Sequence, residues 1–191
     1  MISNVIIIHG CAEDDKVKLE RGDLPKNEKH WFLWIKKELK KRKVKVYVPV
    51  MPESWNPKYE KWKEVFEKLP VDENTVLVGH SAGGSFITRW LGESNKKIKK
   101  LVLVAPAIIH GDYWGFLKDL CSFTIDKSVK NKSEKIIIFV SDNESDGIKK
   151  AVDIYCDGLG IKSIELKGRG HFLYRHMKTH EFPELLQKIL E

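Results

Sequence analysis

Arginine, cysteine and long apolar runs are all scarce in this chain, and each scarcity removes a class of function. Only Arg21, Arg42, Arg89, Arg169 and Arg175 stand among the 34 basic residues, whereas phosphate and base recognition lean on the planar Arg fork. The net charge of +7 is therefore a lysine charge. Its densest runs, KKELKKRKVK at 36–45 and NKKIKK at 95–100, border apolar-periodic segments and read as solvated faces of helices and turns. No specific nucleic-acid partner is expected. Cys11, Cys121 and Cys156 are odd in number, far apart and form no CxxC pair, which argues against a disulfide framework or zinc ribbon and points to a cytoplasmic location. No stretch approaches the ~18 uninterrupted apolar residues of a membrane span, so no membrane partner is expected. The opening MISNVIIIHG lacks a basic n-region and reads as a first strand rather than a signal peptide. At 191 residues the chain has room for one domain and falls short of the roughly 250 of a (β/α)₈ barrel.

What is present is a regular alternation. Six short β-branched runs recur at 4–8, 44–48, 75–78, 101–104, 135–140 and 162–166. Most are continuous in Val, Ile and Leu rather than alternating, as strands covered on both faces require. Helical periods fall between them at 29–43, 58–69, 82–91, 148–159 and 182–190. The first carries Trp31, Phe32, Trp34, Ile35 and Leu39 on one stripe. This pattern predicts an α/β domain with about six mostly parallel strands and helices on both faces. Two connections, 9–28 and 106–134, are too long to be simple turns, and the second could form a small lid. Both begin at the carboxyl end of a strand, where open parallel sheets bind ligands.

The sharpest motif is TVLVGHSAGG at 75–84, a GxSxG with a buried-strand run before it and a helical run after it. A strand–elbow–helix of this kind forces the Ser81 backbone into a strained turn and pushes its hydroxyl out above the sheet, at a helix N-terminus. The glycines leave room for close approach of strand and helix. A serine hydroxyl is a weak nucleophile without a base, and the chain order in this fold is Ser, then acid, then His. Among seven histidines, His171 in Gly168-Arg169-Gly170-His171-Phe172 fits the base. His80 is expected to pack away from Ser81; His30, His110, His176 and His180 read as surface or loop residues. His176 and His180 could share a helical face toward zinc, but no third ligand has helpful spacing, and no metal is expected. The acid falls in Ser141-Asp142-Asn143-Glu144-Ser145-Asp146, where Asp142, Glu144 and Asp146 compete and Asp146 is placed as the helix cap. Oxyanion donors are expected from the Ala82 N–H and, in the loop after the first strand, the Cys11 N–H. Trp55 and the cluster Tyr113, Trp114 and Phe116 are candidates for an acyl-pocket wall or lid.

These segments, in this order, resemble the small α/β-hydrolase-fold serine hydrolases of the retinoblastoma-binding-protein type and their prokaryotic relatives. The shared pieces are the first strand with its glycine turn, HWFLWIKKELKK, VPVMPES, VLVGHSAGG, VSDNE and GRGHF. The resemblance implies a minimal α/β-hydrolase fold without the usual first two strands. It implies a hydrolase of small-molecule esters, amides or related acyl compounds that needs no metal or cofactor and works through an acyl-enzyme. Where relatives carry Asp at the third position after the serine of the VSDNE turn, this chain has Glu144, so the register favours Glu144 with Asp142 as the alternative. The family's namesake carries an LxCxE-like segment before its elbow strand. Here Leu69-Pro70-Val71-Asp72-Glu73 has Val for Cys, and a retinoblastoma-type partner is not carried over. The competing reading is a non-catalytic binding module that uses its loops or lysine faces.

Overall fold

A computed structural model describes residues 2–11, 29–109 and 115–191. Six strands form one sheet in the order β2-β1-β3-β4-β5-β6: β1 (Asn4–Ile8), β2 (Lys45–Tyr47), β3 (Thr75–His80), β4 (Ile98–Val104), β5 (Ser133–Ser141) and β6 (Ile164–Leu166). All five pairings are parallel. Every residue of β1 and β3 is buried, which is why their sequences run apolar without alternation. The structure shows the expected α/β architecture.

The helices are α1 (Lys29–Lys41), α2 (Tyr59–Phe66), α3 (Ala82–Glu93), α4 (Lys118–Cys121), α5 (Asp146–Leu159), α6 (Tyr174–Met177) and α7 (Pro183–Leu190). The strand order reverses between β1 and β3, so right-handed crossovers carry α1 to one face and α2, α3 and α5 to the other. Aromatic packing follows this division. On one face Trp31 of α1 meets Phe182, the residue before α7, at 5.8 Å. On the other, Tyr59, Trp62 and Phe66 of α2 surround Phe86 of α3 at 5.7, 5.7 and 5.3 Å. The α1 stripe buries Trp31, Phe32, Ile35 and Leu39 completely. No described helix is long and apolar enough to cross a membrane.

Two departures from the sequence expectation concern charge. The run at 95–100 is not wholly solvated. Lys100 on β4 is buried, and its Nζ donates to the Lys188 and Ile189 carbonyls at 3.1 and 3.0 Å, capping the end of α7. Asp146 is not the cap of α5. Ser145 occupies that position without a side-chain cap bond, and Asp146 is the first helical residue, where a negative charge suits the helix dipole. At the sheet edge, Lys36, Lys40, Lys43 and Lys45 line a groove of about 430 Å³ with Val44, Val46 and Tyr47. Lys45 on the edge strand β2, with the lysines of α1 and of the turn that precedes the strand, discourages pairing with another chain.

Candidate active site

The site is built at the carboxyl ends of β1, β3 and β5, beside the reversal of strand order. Between β3 and α3 the chain turns at Ser81, with φ 52° and ψ −123°. Such a backbone costs a non-glycine residue about 1–3 kcal/mol and must be held from outside. Its N–H donates to the Val104 carbonyl at 3.0 Å, and its own carbonyl accepts from Gly84 and Ala107 at 2.9 and 3.2 Å. The glycines are a steric requirement. A Cβ at Gly79 would lie 2.6 Å from the Gly84 Cα, one at Gly83 2.6 Å from the His9 carbonyl oxygen, and one at Gly84 2.9 Å from the Pro106 Cβ. The Ala82 N–H is a first-turn amide that no helix carbonyl can satisfy.

The loop after β1 is set by His9, which is fully buried. Its Nε2 accepts the Met51 N–H at 2.8 Å, so its Nδ1 carries the proton and donates to the Gly10 carbonyl at 2.7 Å. A trans peptide points its C=O and N–H in opposite directions, and no described peptide bond is cis. Holding the Gly10 carbonyl against His9 therefore turns the Cys11 N–H away from that ring.

The third part joins two distant segments residue by residue. Asp142 Oδ1 accepts the Gly168 N–H at 2.7 Å, Ser141 Oγ the Arg169 N–H at 2.8 Å, and Asn143 Oδ1 the Gly170 N–H at 2.7 Å. Glu144 Oε2 lies 2.7 Å from His171 Nδ1, while its Oε1 accepts the Ser145 N–H at 2.8 Å. The Glu144 side chain is only 4% exposed. Burial pushes its carboxyl up, but the His171 hydrogen bond and charge, with the Ser145 amide, outweigh this and hold it below the usual range. A carboxylate at Nδ1 keeps the proton there and leaves Nε2 of a neutral His171 with a lone pair. The Asp142 carboxylate, held low chiefly by the Gly168 N–H, serves the loop backbone rather than the His171 ring.

Two histidines add contacts to their expected places, His80 in the packing against Trp31 and Phe32 and His176 at the surface. His80 is buried and donates from Nε2 to the His171 carbonyl at 3.0 Å, with ring centroids 5.0 Å apart. His176 is not a bystander on the surface, because its Nδ1 accepts the His171 N–H at 2.9 Å. His180 instead stacks on Tyr174 at 4.6 Å. Sequence reading missed Ser141, Asn143, His80 and His176. The available signal was a run of short polar side chains in one turn and a glycine-rich loop whose amides need acceptors.

Of the expected acyl wall, Tyr113 and Trp114 lie outside the described residues, as does His110. Trp55 and Phe116 are half-buried. Their segments are tied together, since Asp119 Oδ1 accepts the Tyr59 N–H at 2.7 Å and the Asp119 carbonyl accepts from Arg89 at 2.9 Å.

The family model described as Serine hydrolase matches residues 22–188, a span that includes Ser81, Glu144 and His171. The chain belongs to the Serine hydrolase family. Among other members of the α/β-hydrolase fold, YdeN of Bacillus subtilis (strain 168), which is named as a hydrolase, is 26% identical over 188 residues, covering 91% of this chain and 87% of YdeN. The crystal structure of the ydeN product matches with a TM-score of 0.82 and 21% identity over 98% of this chain and 97% of that one. Est1E from Butyrivibrio proteoclasticus, solved with ferulic acid bound, gives 0.65 at 15% identity, over 99% and 88% of the two chains. Carboxylesterase CesB from Bacillus subtilis gives 0.59 at 16% identity, over 99% and 82%. These likenesses place this serine hydrolase in the α/β-hydrolase fold.

Proposed function

We propose that the protein hydrolyses small carboxylic esters by acyl transfer to Ser81, with His171 as base and Glu144 as the carboxylate that orients it. The observation that carries this reading is the 2.7 Å bond between buried Glu144 and His171 Nδ1, in a fold where His80, the residue before the Ser81 turn at φ 52°, bonds the His171 carbonyl. The Ser81 Oγ attacks the carbonyl carbon as its proton passes to His171 Nε2. The resulting oxyanion is taken up by the Ala82 and Cys11 N–H groups, and the His9 contact to Gly10 supports the orientation of the second donor. Collapse breaks the C–O bond, and His171 returns its proton to the leaving alcohol. Water, deprotonated by His171, then attacks the acyl carbon and restores Ser81. Nucleophile, base and oxyanion donors all come from the chain, so the proposal needs no metal or cofactor.

The ester preference is supported by the likeness to carboxylesterase CesB and to Est1E, which binds ferulic acid, a carboxylic acid of the kind that ester hydrolysis releases. Trp55 and Phe116 would face apolar acyl groups, while amides are the slower substrates of the same chemistry. The test is Ser81→Ala. Fluorophosphonate labelling and p-nitrophenyl acetate turnover should both disappear while the melting temperature stays within a few degrees. Turnover that persists in the variant overturns the mechanism.

A further inference from the structure

His176 lies five residues after His171, on the four-residue helix α6, and the two are joined through the backbone. A peptide N–H is a permanent donor, so the 2.9 Å contact from His171 requires a lone pair on His176 Nδ1. The His176 ring also lies against Gly170. A Cβ there would fall 2.7 Å from the ring's Cγ and Nδ1, and Gly170 has φ +50°. On the other side of His171, the carbonyl is held by His80 Nε2 at 3.0 Å. The backbone of the proposed base is thus gripped between two imidazoles, one a donor and one an acceptor.

We propose that His176 is a positioning residue for His171, effective only while its Nδ1 is unprotonated. This rests on the reading of Ser81, His171 and Glu144 given above. Protonation turns Nδ1 into a donor facing a donor, and the grip on His171 is lost. The charged and titratable groups around the ring oppose that proton on balance. The side chain is solvent-exposed, and the partial desolvation of its ring comes first, then Arg175, whose Nε is 3.3 Å from the Nε2 that carries the neutral ring's proton, with His171 and Lys178 acting the same way and Glu144 against them. The ring accordingly stays neutral to lower pH than an ordinary histidine. Leu173 and Met177 are the buried apolar residues of this segment.

Two substitutions separate positioning from packing. His176→Phe keeps a ring over Gly170 and removes the acceptor. His176→Asn keeps an acceptor near the Nδ1 position and removes the titration. At pH 8, His176→Phe should lose about tenfold in fluorophosphonate labelling rate and in kcat for p-nitrophenyl acetate, with KM little changed. Misplacing a catalytic group can cost up to ~10²-fold. His176→Asn should stay within about twofold of wild type at pH 8. As pH falls from 8 to 5, the ratio of the Asn variant's rate to that of wild type should rise, because only wild type loses its acceptor. Equal rates for wild type and His176→Phe, equal losses in both variants, or a flat ratio across pH each overturn the proposal. Should His176→Phe fail to fold, the pH ratio of His176→Asn decides alone. Labelling that survives Ser81→Ala instead overturns the reading of the site itself. Labelling that Ser81→Ala abolishes, with His176→Phe at full rate, overturns only the role of His176.

Discussion

The two halves of the site are held by opposite means. Around Ser81 the turn is defined by what is missing: no Cβ at Gly79, Gly83 or Gly84, each of which would collide with backbone or with Pro106. Around His171 it is defined by what is supplied. Ser141, Asp142, Asn143 and Glu144 each hand an oxygen to Arg169, Gly168, Gly170 and His171 respectively. The first half is a steric fit inside the core and tolerates almost no added volume. The second is a set of hydrogen bonds that runs from buried Ser141 and Glu144 to exposed Asp142 and Asn143, and water can replace a partner only at the exposed members. Substitutions in the first should therefore register as stability, and in the second as rate at the one bond that reaches a ring nitrogen.

The largest effect should come from Glu144→Gln, where the clamp meets the ring. Gln keeps the size and removes the charge, so the His171 tautomer is no longer enforced, and kcat should fall by up to ~10⁴. A second readout is stability against pH. The folded Glu144 carboxyl lies below its ordinary value of 4.5, so its ionised form stabilises the native state. That contribution is complete above the ordinary value and is lost as pH falls through the lower folded value. Wild type should lose melting temperature below about pH 4.5 more steeply than Glu144→Gln does. A variant with near-native kcat would show that the 2.7 Å contact does not serve the reaction.

Next in size is a methyl group placed at the elbow. In Gly83→Ala the new Cβ would fall 2.6 Å from the His9 carbonyl oxygen and closer still to that of Ile8. The Ile8 carbonyl ends β1 and that of His9 follows it directly, and neither can shift without disturbing the pairing with β3, where Ile8 faces Gly79. Overpacking of this kind costs about 3 kcal/mol, a fall of about 9 °C in melting temperature for a chain of this size. Gly115→Ala, where nothing among the described residues lies within 4 Å of the added atom, is the matched control and should leave the melting temperature unchanged within about 1 °C. If both variants melt alike, the elbow glycines are not sterically required.

The same contrast explains what could be read in advance. Steric rules leave a local signature. Buried strands spell Val and Ile, and a tight elbow spells glycine at fixed offsets, so the sheet, its five longer helices and the Ser81 turn were visible in the sequence, while the four-residue α4 and α6 were not. The β3 run even proved longer than its apolar part, because Gly79 and His80 continue the ladder opposite Leu103 and Val104. Hydrogen bonds between segments about 27 residues apart leave no such signature. Nothing local to Asn143 says that its oxygen meets the Gly170 amide, and nothing local to His176 says that it meets the His171 amide. Lys100 was hidden for the same reason, since its partners are carbonyls of Lys188 and Ile189, far along the chain. Glu144 could be favoured over Asp142 by register, but only the fold shows which carboxylate reaches the ring.

The smallest expected effect tests that last distinction. Asp142 sits two residues before Glu144 and carries the same charge, yet its Oδ1 accepts a backbone N–H rather than an imidazole proton. A backbone amide accepts a neutral partner almost as readily as a charged one. Asp142→Asn retains a carbonyl oxygen at that position and should keep kcat within about twofold, because the His171 tautomer does not depend on it. Asp142→Ala removes the acceptor, but the carboxylate is solvent-facing, so water can take over the Gly168 N–H. That exchange should leave the denaturant midpoint almost unchanged and cost a few-fold in kcat through a looser loop. Measured side by side with p-nitrophenyl acetate, Asp142→Asn, Asp142→Ala and Glu144→Gln should rank in that order of increasing loss. A collapse of roughly 10³ or more in Asp142→Asn would reverse the assignment. It would make Asp142 the residue that orients His171 in the working enzyme, and the Glu144 contact a feature of the resting state alone.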